Sequence, residues 1–178
     1  FKCENFQHTG SFKYRAALNA IKSIPNDFKK RGVITHSSGN FAHALSRASH
    51  ELNIPCYIIM PSNTPDFKKN SVFKYTNNII ECEPNLSARE QTTKTIMKEK
   101  NLFFLHPSNN LDVILGNSSC TSEFIKDYPN LDFIFSPIGG GGLIAGTSIA
   151  IDYLSKSCKV IGAEPSNVDD AYRSLISG

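Results

Sequence analysis

The sequence of 178 residues has no tryptophan, two methionines and no long hydrophobic run. Because a membrane-spanning helix needs about 20 consecutive apolar residues, we expect no membrane association. The chain also lacks a basic block or a basic–aromatic stripe, and its net charge is only +3, which argues against a nucleic-acid surface. With 40% hydrophobic and 20% charged residues, and no repeat or low-complexity tract, the composition is that of a globular protein.

The cysteines are few, odd in number and widely spaced. No Cys-x-x-Cys pair occurs among them, which argues against both a disulfide framework and a zinc site. This pattern predicts a reducing, cytoplasmic setting. The five are Cys3, Cys56, Cys82, Cys120 and Cys158.

Short apolar strand patterns alternate with helical patterns along the chain. Strands are predicted at 33–35, 57–60, 79–82, 102–105, 133–135 and 160–163, with helices between them and Pro25-Asn26 ending the first helix. This alternation predicts an α/β fold with parallel sheets and helices on both faces. Ligands of such sheets bind beyond the carboxyl ends of the strands, so the loops that follow strands are where chemistry is expected.

A glycine-rich loop joins the strand pattern at 133–135 to an apolar helix pattern. The loop reads Pro137-Ile138 followed by four consecutive glycines, residues 139–142. Without side chains the backbone can approach a ligand closely, and its N–H groups and the helix N-terminus favour an anion. The segment therefore predicts a phosphate site.

The same loop has a second interpretation. Gly140, Gly142 and Ala145 fit a dinucleotide-binding fingerprint, and Glu164 ends the next strand pattern, where a ribose-binding acid is expected. Taken alone, this segment is compatible with a nicotinamide-binding unit.

A lysine follows a Thr-Gly-Ser-Phe segment at the start of the first helix pattern. Thr9 or Ser11 is a candidate helix cap, and a lysine at a helix start is commonly just a solvated charge. The helix dipole and desolvation would, however, lower the pKa of Lys13 and favour the neutral amine that covalent catalysis on carbonyl groups needs.

Two further polar turns follow strand patterns. The His-Ser-Ser-Gly-Asn turn at 36–40 suits a carboxylate, although a plain helix cap explains it equally well. The acidic turn at 163–170 offers oxygen ligands for a hard cation, and the alternative is a solvated turn that caps the following helix.

Together these motifs resemble the fold-type II (tryptophan synthase β-like) enzymes that depend on pyridoxal 5'-phosphate (PLP). The resemblance runs through the chain in one order: Thr-Gly-Ser-Phe-Lys, Ser-Ser-Gly-Asn, then the glycine loop. It is strongest to the group of serine racemases and serine or threonine dehydratases. A nicotinamide-binding unit gives no reason for the first two motifs, so the resemblance favours PLP.

The resemblance implies a role for each matching residue. Lys13 would bind the cofactor covalently and move protons on one face of the substrate Cα, with Ser38 as acid/base on the other face. Phe12 would flank the cofactor ring and Asn40 would hydrogen-bond its 3'-oxygen. The phosphate would be held by Gly139, Gly140, Gly141, Gly142 and Leu143.

The resemblance also implies the remaining ligand contacts. The substrate carboxylate would be received by Ser37, Ser38, Gly39, Asn40 and the adjoining Phe41. A divalent cation, Mg²⁺ or alternatively Ca²⁺ or Mn²⁺, would be bound by Glu164, the Val168 carbonyl and Asp170. The reaction implied is racemisation of serine, β-elimination to pyruvate and ammonia, or both. The alternatives are an L-threonine/L-serine ammonia-lyase and a non-catalytic relative.

The chain departs from the family pattern at several positions. Phe41 stands where a histidine is usual, which removes a polar group beside the expected carboxylate site. Thr9 and Tyr75 match contacts of a nucleotide effector, but His8 and His43 differ from the usual residues, which argues against ATP regulation.

The family layout predicts two lobes, with residues 32–108 as the small lobe and residues 1–31 and 109–178 as part of the PLP-binding lobe. The chain begins within an apolar run and ends without a closing element, so we expect a fragment that lacks both ends and is inactive alone. The family's partner for the pyridine nitrogen lies beyond residue 178, and the complete protein is expected to be a homodimer.

Overall fold

Residues 1–177 are described by a computed structural model, in which strands and helices alternate as the sequence predicts. The strands are β1 (Val33–His36), β2 (Cys56–Pro61), β3 (Ile79–Cys82), β4 (Phe103–Phe104), β5 (Phe133–Pro137) and β6 (Lys159–Ala163). The helices are α1 (Lys13–Ser23), α2 (Asn26–Arg31), α3 (Asn40–Glu51), α4 (Asp66–Phe73), α5 (Leu86–Lys100), α6 (Leu111–Asp127), α7 (Gly142–Leu154) and α8 (Asp170–Ser177). Two 3-10 helices, Glu4–Phe6 and His8–Gly10, precede α1. Of these helices, none within residues 1–177 is both long and apolar enough to cross a bilayer.

The first four strands form one parallel sheet in the order β3-β2-β1-β4. Side chains alternate between its faces, as strand geometry requires. Val33 packs into the cluster that contains residues of α1 and α3, whereas Ile34 packs with residues of α5. Helices therefore cover both faces, and the predicted α/β class is confirmed.

The last two strands form a separate parallel pair, β5-β6, in which Phe133 pairs with Lys159. Ile134 and Ser136 of β5 are buried, whereas Phe135 on the opposite face is 70% exposed. Because this pair ends at residues 137 and 163, its carboxyl edge carries both the glycine loop and the acidic turn.

Helix α6 brings α1 and α7 together, because glycines allow both helices to approach it closely. A Cβ on Gly116 would lie 2.7 Å from both the Ala16 Cα and the Arg15 carbonyl oxygen of α1. A Cβ on Gly146 of α7 would lie 2.6 Å from the Ile114 carbonyl oxygen of α6. Helix α1, which begins with Lys13, and helix α7, which follows the glycine loop, therefore both pack against α6.

An ion-pair network ties the N-terminal segment to the same helix. Arg15 Nε lies 2.7 Å from Glu4, and the Arg15 guanidinium also binds Glu123 of α6 at 2.7 Å. Lys2 binds Glu123 at 2.6 Å. The hydrogen bonds from Arg15 and Lys2 lower the pKa of Glu123 to about 2, so the network holds the start of α1 in place at neutral pH.

The first helix ends where the sequence predicts, since α1 stops at Ser23, just before Pro25. A second helix, α2, was not predicted: it begins directly after Pro25 and ends at Arg31, before Gly32 with φ +114°. A proline with its φ preset favours a helix start as readily as a helix end. The strand predicted at 102–105 is only Phe103–Phe104, because Leu105 donates a single backbone hydrogen bond to Ile34 as the chain turns away.

The five cysteines are all unpaired. Cys3 is exposed, and the other four are buried. Burial raises the pKa of the Cys56 thiol to about 12 and that of Cys120 to about 11, which keeps both in the unreactive thiol form.

Candidate active site

Lys13 is the first residue of α1, and the turn that precedes it has an unusual backbone conformation. Thr9 has a left-handed conformation with φ 61°, and Gly10 follows with φ 70°. Positive φ is costly at a β-branched residue, so this turn is held by its surroundings. Both Thr9 and Ser11 have buried hydroxyl groups without a hydrogen-bond partner in the described part of the chain. The predicted capping role of these hydroxyls is therefore not observed: Phe12 occupies the N-cap position and makes no side-chain cap bond.

The Lys13 side chain reaches the loop that follows β4. Its Nζ donates a hydrogen bond of 2.8 Å to the carbonyl oxygen of Pro107. The same nitrogen lies 5.1 Å from the ring centroid of Phe12 and 5.8 Å from that of Phe41. The lysine thus sits between two aromatic rings and one carbonyl, at a point where α1, α3 and the loop after β4 meet.

This environment lowers the pKa of Lys13 from its ordinary value, and the cause is burial. Desolvation disfavours the charged ammonium, since two hydrocarbon rings replace water around it. The direction agrees with the sequence-based expectation. The neutral amine, which is the nucleophilic form, is therefore populated at a lower pH than for an exposed lysine.

The Ser-Ser-Gly-Asn turn lies between β1 and α3, as predicted. Ser37 is anchored by its N–H to the Ile59 carbonyl at 3.1 Å, and its hydroxyl accepts the Gly39 N–H at 3.3 Å. The Asn40 side chain is exposed and bonds to no group within residues 1–177. Phe41 is 2% exposed and packs in the main core cluster. The turn therefore presents its polar groups outward while Phe41 fixes it next to Lys13.

The glycine loop is seated directly against the chain segment that Lys13 contacts. A Cβ on Gly140 would lie 2.6 Å from the Ser108 Oγ, and one on Gly142 would lie 3.0 Å from the Ser108 carbonyl oxygen. The buried Asn117 of α6 donates a hydrogen bond of 3.0 Å to the Gly142 carbonyl oxygen. These contacts favour glycine at 140 and 142, because a larger residue at either position would displace Ser108.

The other side of the loop is open. A Cβ on Gly139 or Gly141 would meet nothing within 4 Å, and Gly141 has φ +78°. Within residues 1–177, the N–H groups of Gly139, Gly140 and Gly141 donate no hydrogen bond. Free amides in open space at the start of a 13-residue helix suit a phosphate, so the loop fits the phosphate of PLP.

The predicted cation ligands lie apart from Lys13, beyond β6. The Glu164 carboxylate accepts the N–H groups of Ala171 and Tyr172 at 3.1 and 2.9 Å and so caps α8. The Val168 N–H closes a turn onto the Pro165 carbonyl at 2.9 Å, and Asp170 begins α8. The capping interpretation of the acidic turn is thus observed. Carboxylate and carbonyl oxygens are the ligand types that a hard cation prefers, but within residues 1–177 no group of three or more His, Cys, Asp or Glu side chains is placed to hold a metal ion.

Three residues near the lysine were not predicted as functional. They are Asn117, Pro107 and His106, whose Nδ1 accepts the N–H groups of Ser108 and Asn109. Asn117 had a visible signal, because it is a polar residue at helical spacing from the apolar Val113 and Cys120. The contact of Pro107 with Lys13 had no signal in the sequence, because it uses a backbone carbonyl, which every residue has.

Comparisons with known proteins agree on one family. The family model described as "Pyridoxal-phosphate dependent enzyme" matches residues 1–178. Serine racemase from Dictyostelium discoideum is 44% identical over 178 residues, which is all of this chain and 55% of that protein. The β-hydroxyaspartate dehydratase of Paracoccus denitrificans is also 44% identical, over all of this chain and 56% of that protein.

The solved structures agree with the sequence matches. The crystal structure of Dictyostelium discoideum serine racemase superposes with a TM-score of 0.95, covering 100% of this chain and 58% of that chain. The chain spans about half the length of the curated relatives it matches.

Proposed function

The chain belongs to the pyridoxal-phosphate dependent enzymes, and from this premise we propose that it carries the PLP-binding and proton-transfer residues of a serine racemase or serine dehydratase. The observation that supports this best is the meeting of Lys13, the Ser108 segment and the glycine loop in one place. Serine racemase and a hydroxy-amino-acid dehydratase are among the relatives at 44% identity, which supports both reactions.

Bound PLP supplies an electron sink for negative charge at the substrate Cα. The chain supplies the groups that hold it. Lys13 offers an amine of lowered pKa to the aldehyde, with Phe12 beside it. The phosphate would be received by the amides of Gly139, Gly140, Gly141, Gly142 and Leu143, of which the first three donate no hydrogen bond within residues 1–177.

The substrate carboxylate is received by the turn from Ser37 to Asn40. Its backbone leads into the 12-residue helix α3, whose N-terminus favours an anion. Asn40, which is exposed and unbonded within the described residues, is available to the cofactor's 3'-oxygen. Phe41, which directly follows this turn, is buried. Its apolar ring stands where the family usually has a histidine.

Lys13 removes the Cα proton on one face, and Ser38 returns a proton on the other face to complete racemisation. Without that return, loss of the β-hydroxyl gives the elimination product. Ser38 follows the carboxyl end of β1 and is half-buried, which limits water near its hydroxyl.

Ser38→Ala separates the two reactions. We expect racemisation of L-serine to fall by about 10²-fold or more, because a positioned acid/base contributes about that much. Elimination, which needs Lys13 alone at Cα, is expected to fall less. Chiral chromatography of the residual serine and a coupled assay for pyruvate measure both rates on the complete protein. Ser37→Ala is the matched control, because the Ser37 hydroxyl accepts the Gly39 N–H and has no acid/base role. It should lower racemisation and elimination to the same extent. Equal losses of the two activities in Ser38→Ala would contradict the assignment.

We further propose a divalent-cation site, for Mg²⁺ or alternatively Ca²⁺ or Mn²⁺, at Glu164, the Val168 carbonyl and Asp170. A bound cation there would tie β6 to the start of α8 and stabilise the carboxyl edge that carries the glycine loop.

Asp170→Ala should lower Mg²⁺ affinity by on the order of tenfold or more, because it removes one charged ligand. Isothermal titration of the metal-free protein measures the affinity, and turnover with and without Mg²⁺ measures its effect. Asp169→Ala is the matched control, since Asp169 is paired with Arg173 at 2.9 Å. An unchanged Mg²⁺ affinity in Asp170→Ala, or the same loss of affinity in both variants, would contradict the proposed cation site.

The remaining assignments rest on the family layout. We propose residues 32–108 as the small lobe, supported by a four-stranded sheet contained within 33–104, and residues 1–31 with 109–178 as part of the PLP-binding lobe. A homodimer, a cytoplasmic location and the absence of ATP regulation stay predictions. Inactivity of residues 1–178 alone is also expected.

A further inference from the structure

His106 lies between β4 and α6, and its ring closes the turn that Lys13 contacts. The Nδ1 atom accepts the Asn109 N–H at 2.8 Å and the Ser108 N–H at 3.1 Å. A ring nitrogen that accepts two amide protons carries no proton of its own. The imidazole is therefore neutral, with its single N–H on Nε2.

The turn closed by His106 touches both halves of the candidate site. The Pro107 carbonyl oxygen accepts a hydrogen bond of 2.8 Å from Lys13 Nζ. Ser108 packs against the glycine loop so closely that a Cβ on Gly140 would lie 2.6 Å from the Ser108 Oγ. Any opening of this turn therefore moves the partner of Lys13 and the support of the loop together.

We propose that His106 is a positioning residue: through the Pro107–Ser108 turn, its neutral ring sets the Lys13 amine relative to the glycine loop. This inference rests on the proposed function of those two elements as the PLP site. It adds a residue that acts on the site through the two backbone amides that its Nδ1 accepts.

The surroundings of His106 favour the neutral form that the turn requires. Its pKa is lowered, first by burial and then by the charges of Lys13 and Arg89, while Glu90 opposes them. The His36 ring lies edge-on at 5.5 Å between centroids, and the pKa of His36 is also lowered by burial. The groups that face His106 are Lys13 from α1, His36 from β1, and Arg89, Glu90 and Lys94 from α5.

The direction of the pH dependence follows from this. An unfolded histidine titrates near pH 6.5. Because the folded pKa is lower, the contribution of His106 to stability is complete above about pH 6.5 and is lost as the pH falls towards the folded pKa. Protonation puts a hydrogen on Nδ1 and turns both amide contacts from attractive to repulsive.

Two substitutions distinguish the role of the Nδ1 acceptor of His106 from the role of its ring in packing. In His106→Asn, Oδ1 stands the same number of bonds from Cα as Nδ1 and accepts the same two amides, as in an Asx turn, without titrating. His106→Phe keeps a ring against His36 and Phe104 but has no acceptor. The pair is compared in the complete protein, with and without PLP.

In His106→Phe we expect amide hydrogen exchange at Ser108 and Asn109 to accelerate by on the order of tenfold. The affinity for PLP should also fall by about tenfold. The fall in kcat should be larger than the rise in KM. In His106→Asn we expect wild-type exchange and affinity. An acidic limb of the wild-type pH profile that is due to His106 should be absent from this variant. In the wild type, the protection factor of both amides, which is the intrinsic exchange rate at each pH divided by the observed rate, should fall as the pH is lowered below about 6.5.

Equal losses in the two variants would overturn the proposal, because the ring and not the acceptor would then matter. Accelerated exchange in His106→Phe with unchanged PLP affinity would overturn it as well. A wild-type protein that binds no PLP would defeat the proposed function instead. The two failures are distinguishable, because amide exchange is measured on the PLP-free protein.

Discussion

Lys13→Ala is expected to abolish the absorbance band of PLP bound covalently to the protein and to lower turnover of L-serine by about 10³-fold or more. The physical reason is the position of Nζ, which lies between the Phe12 and Phe41 rings with a pKa lowered by burial. Borohydride reduction followed by peptide mass spectrometry should place the cofactor on Lys13 in the wild type and nowhere in the variant.

Lys22 provides the matched control for this experiment. It belongs to the same helix, α1, but is exposed. Lys22→Ala is expected to keep the absorbance band and the turnover. A covalent band that survives Lys13→Ala unchanged would sink the PLP assignment of this lysine, whatever the effect on turnover.

The second large effect is expected at the glycine loop. Gly139→Ala adds a methyl group that meets no protein atom within 4 Å, and no positive φ has to be maintained at that residue. The PLP-free protein should therefore keep its thermal stability. If the open space holds the phosphate, PLP affinity should fall by about 10- to 100-fold, which is the effect of losing charge-assisted hydrogen bonds.

Pyridoxal, which lacks the phosphate, is the control ligand for Gly139→Ala. Its affinity should not change, because the added methyl group obstructs only the phosphate site. Equal weakening of pyridoxal and PLP would show that the substitution disturbs the site in general. Gly140→Ala is the contrasting variant, since its methyl group would meet Ser108 at 2.6 Å and should destabilise even the PLP-free protein.

The α/β class and most element positions were predictable from the sequence, because strand and helix patterns depend on local spacing of apolar residues. Helix α2 was missed because Pro25 is compatible with both a helix end and a helix start. The strand after α5 was predicted too long, since only two of its residues find a partner strand.

The candidate site divides in the same way. Lys13, the Ser-Ser-Gly-Asn turn and the four glycines were visible as motifs, because each is a short local segment with a recognisable chemistry. Pro107 was not, since any residue supplies a backbone carbonyl. His106 belongs to none of the sequence motifs, and its acceptor role becomes visible only when Ser108 and Asn109 fold back over its ring.

By itself the sequence predicted which segments would bind a phosphate, a carboxylate and an aldehyde. Backbone conformation and residue type decide those properties within a few residues. Only the tertiary structure decided that Lys13 and the glycine loop, which are 126 residues apart (139 minus 13), contact the same Pro107-Ser108 segment. They do so because Gly116 and Gly146 let α1 and α7 pack tightly on α6. Such close approach depends on the shapes of three helices at once, which no local pattern encodes.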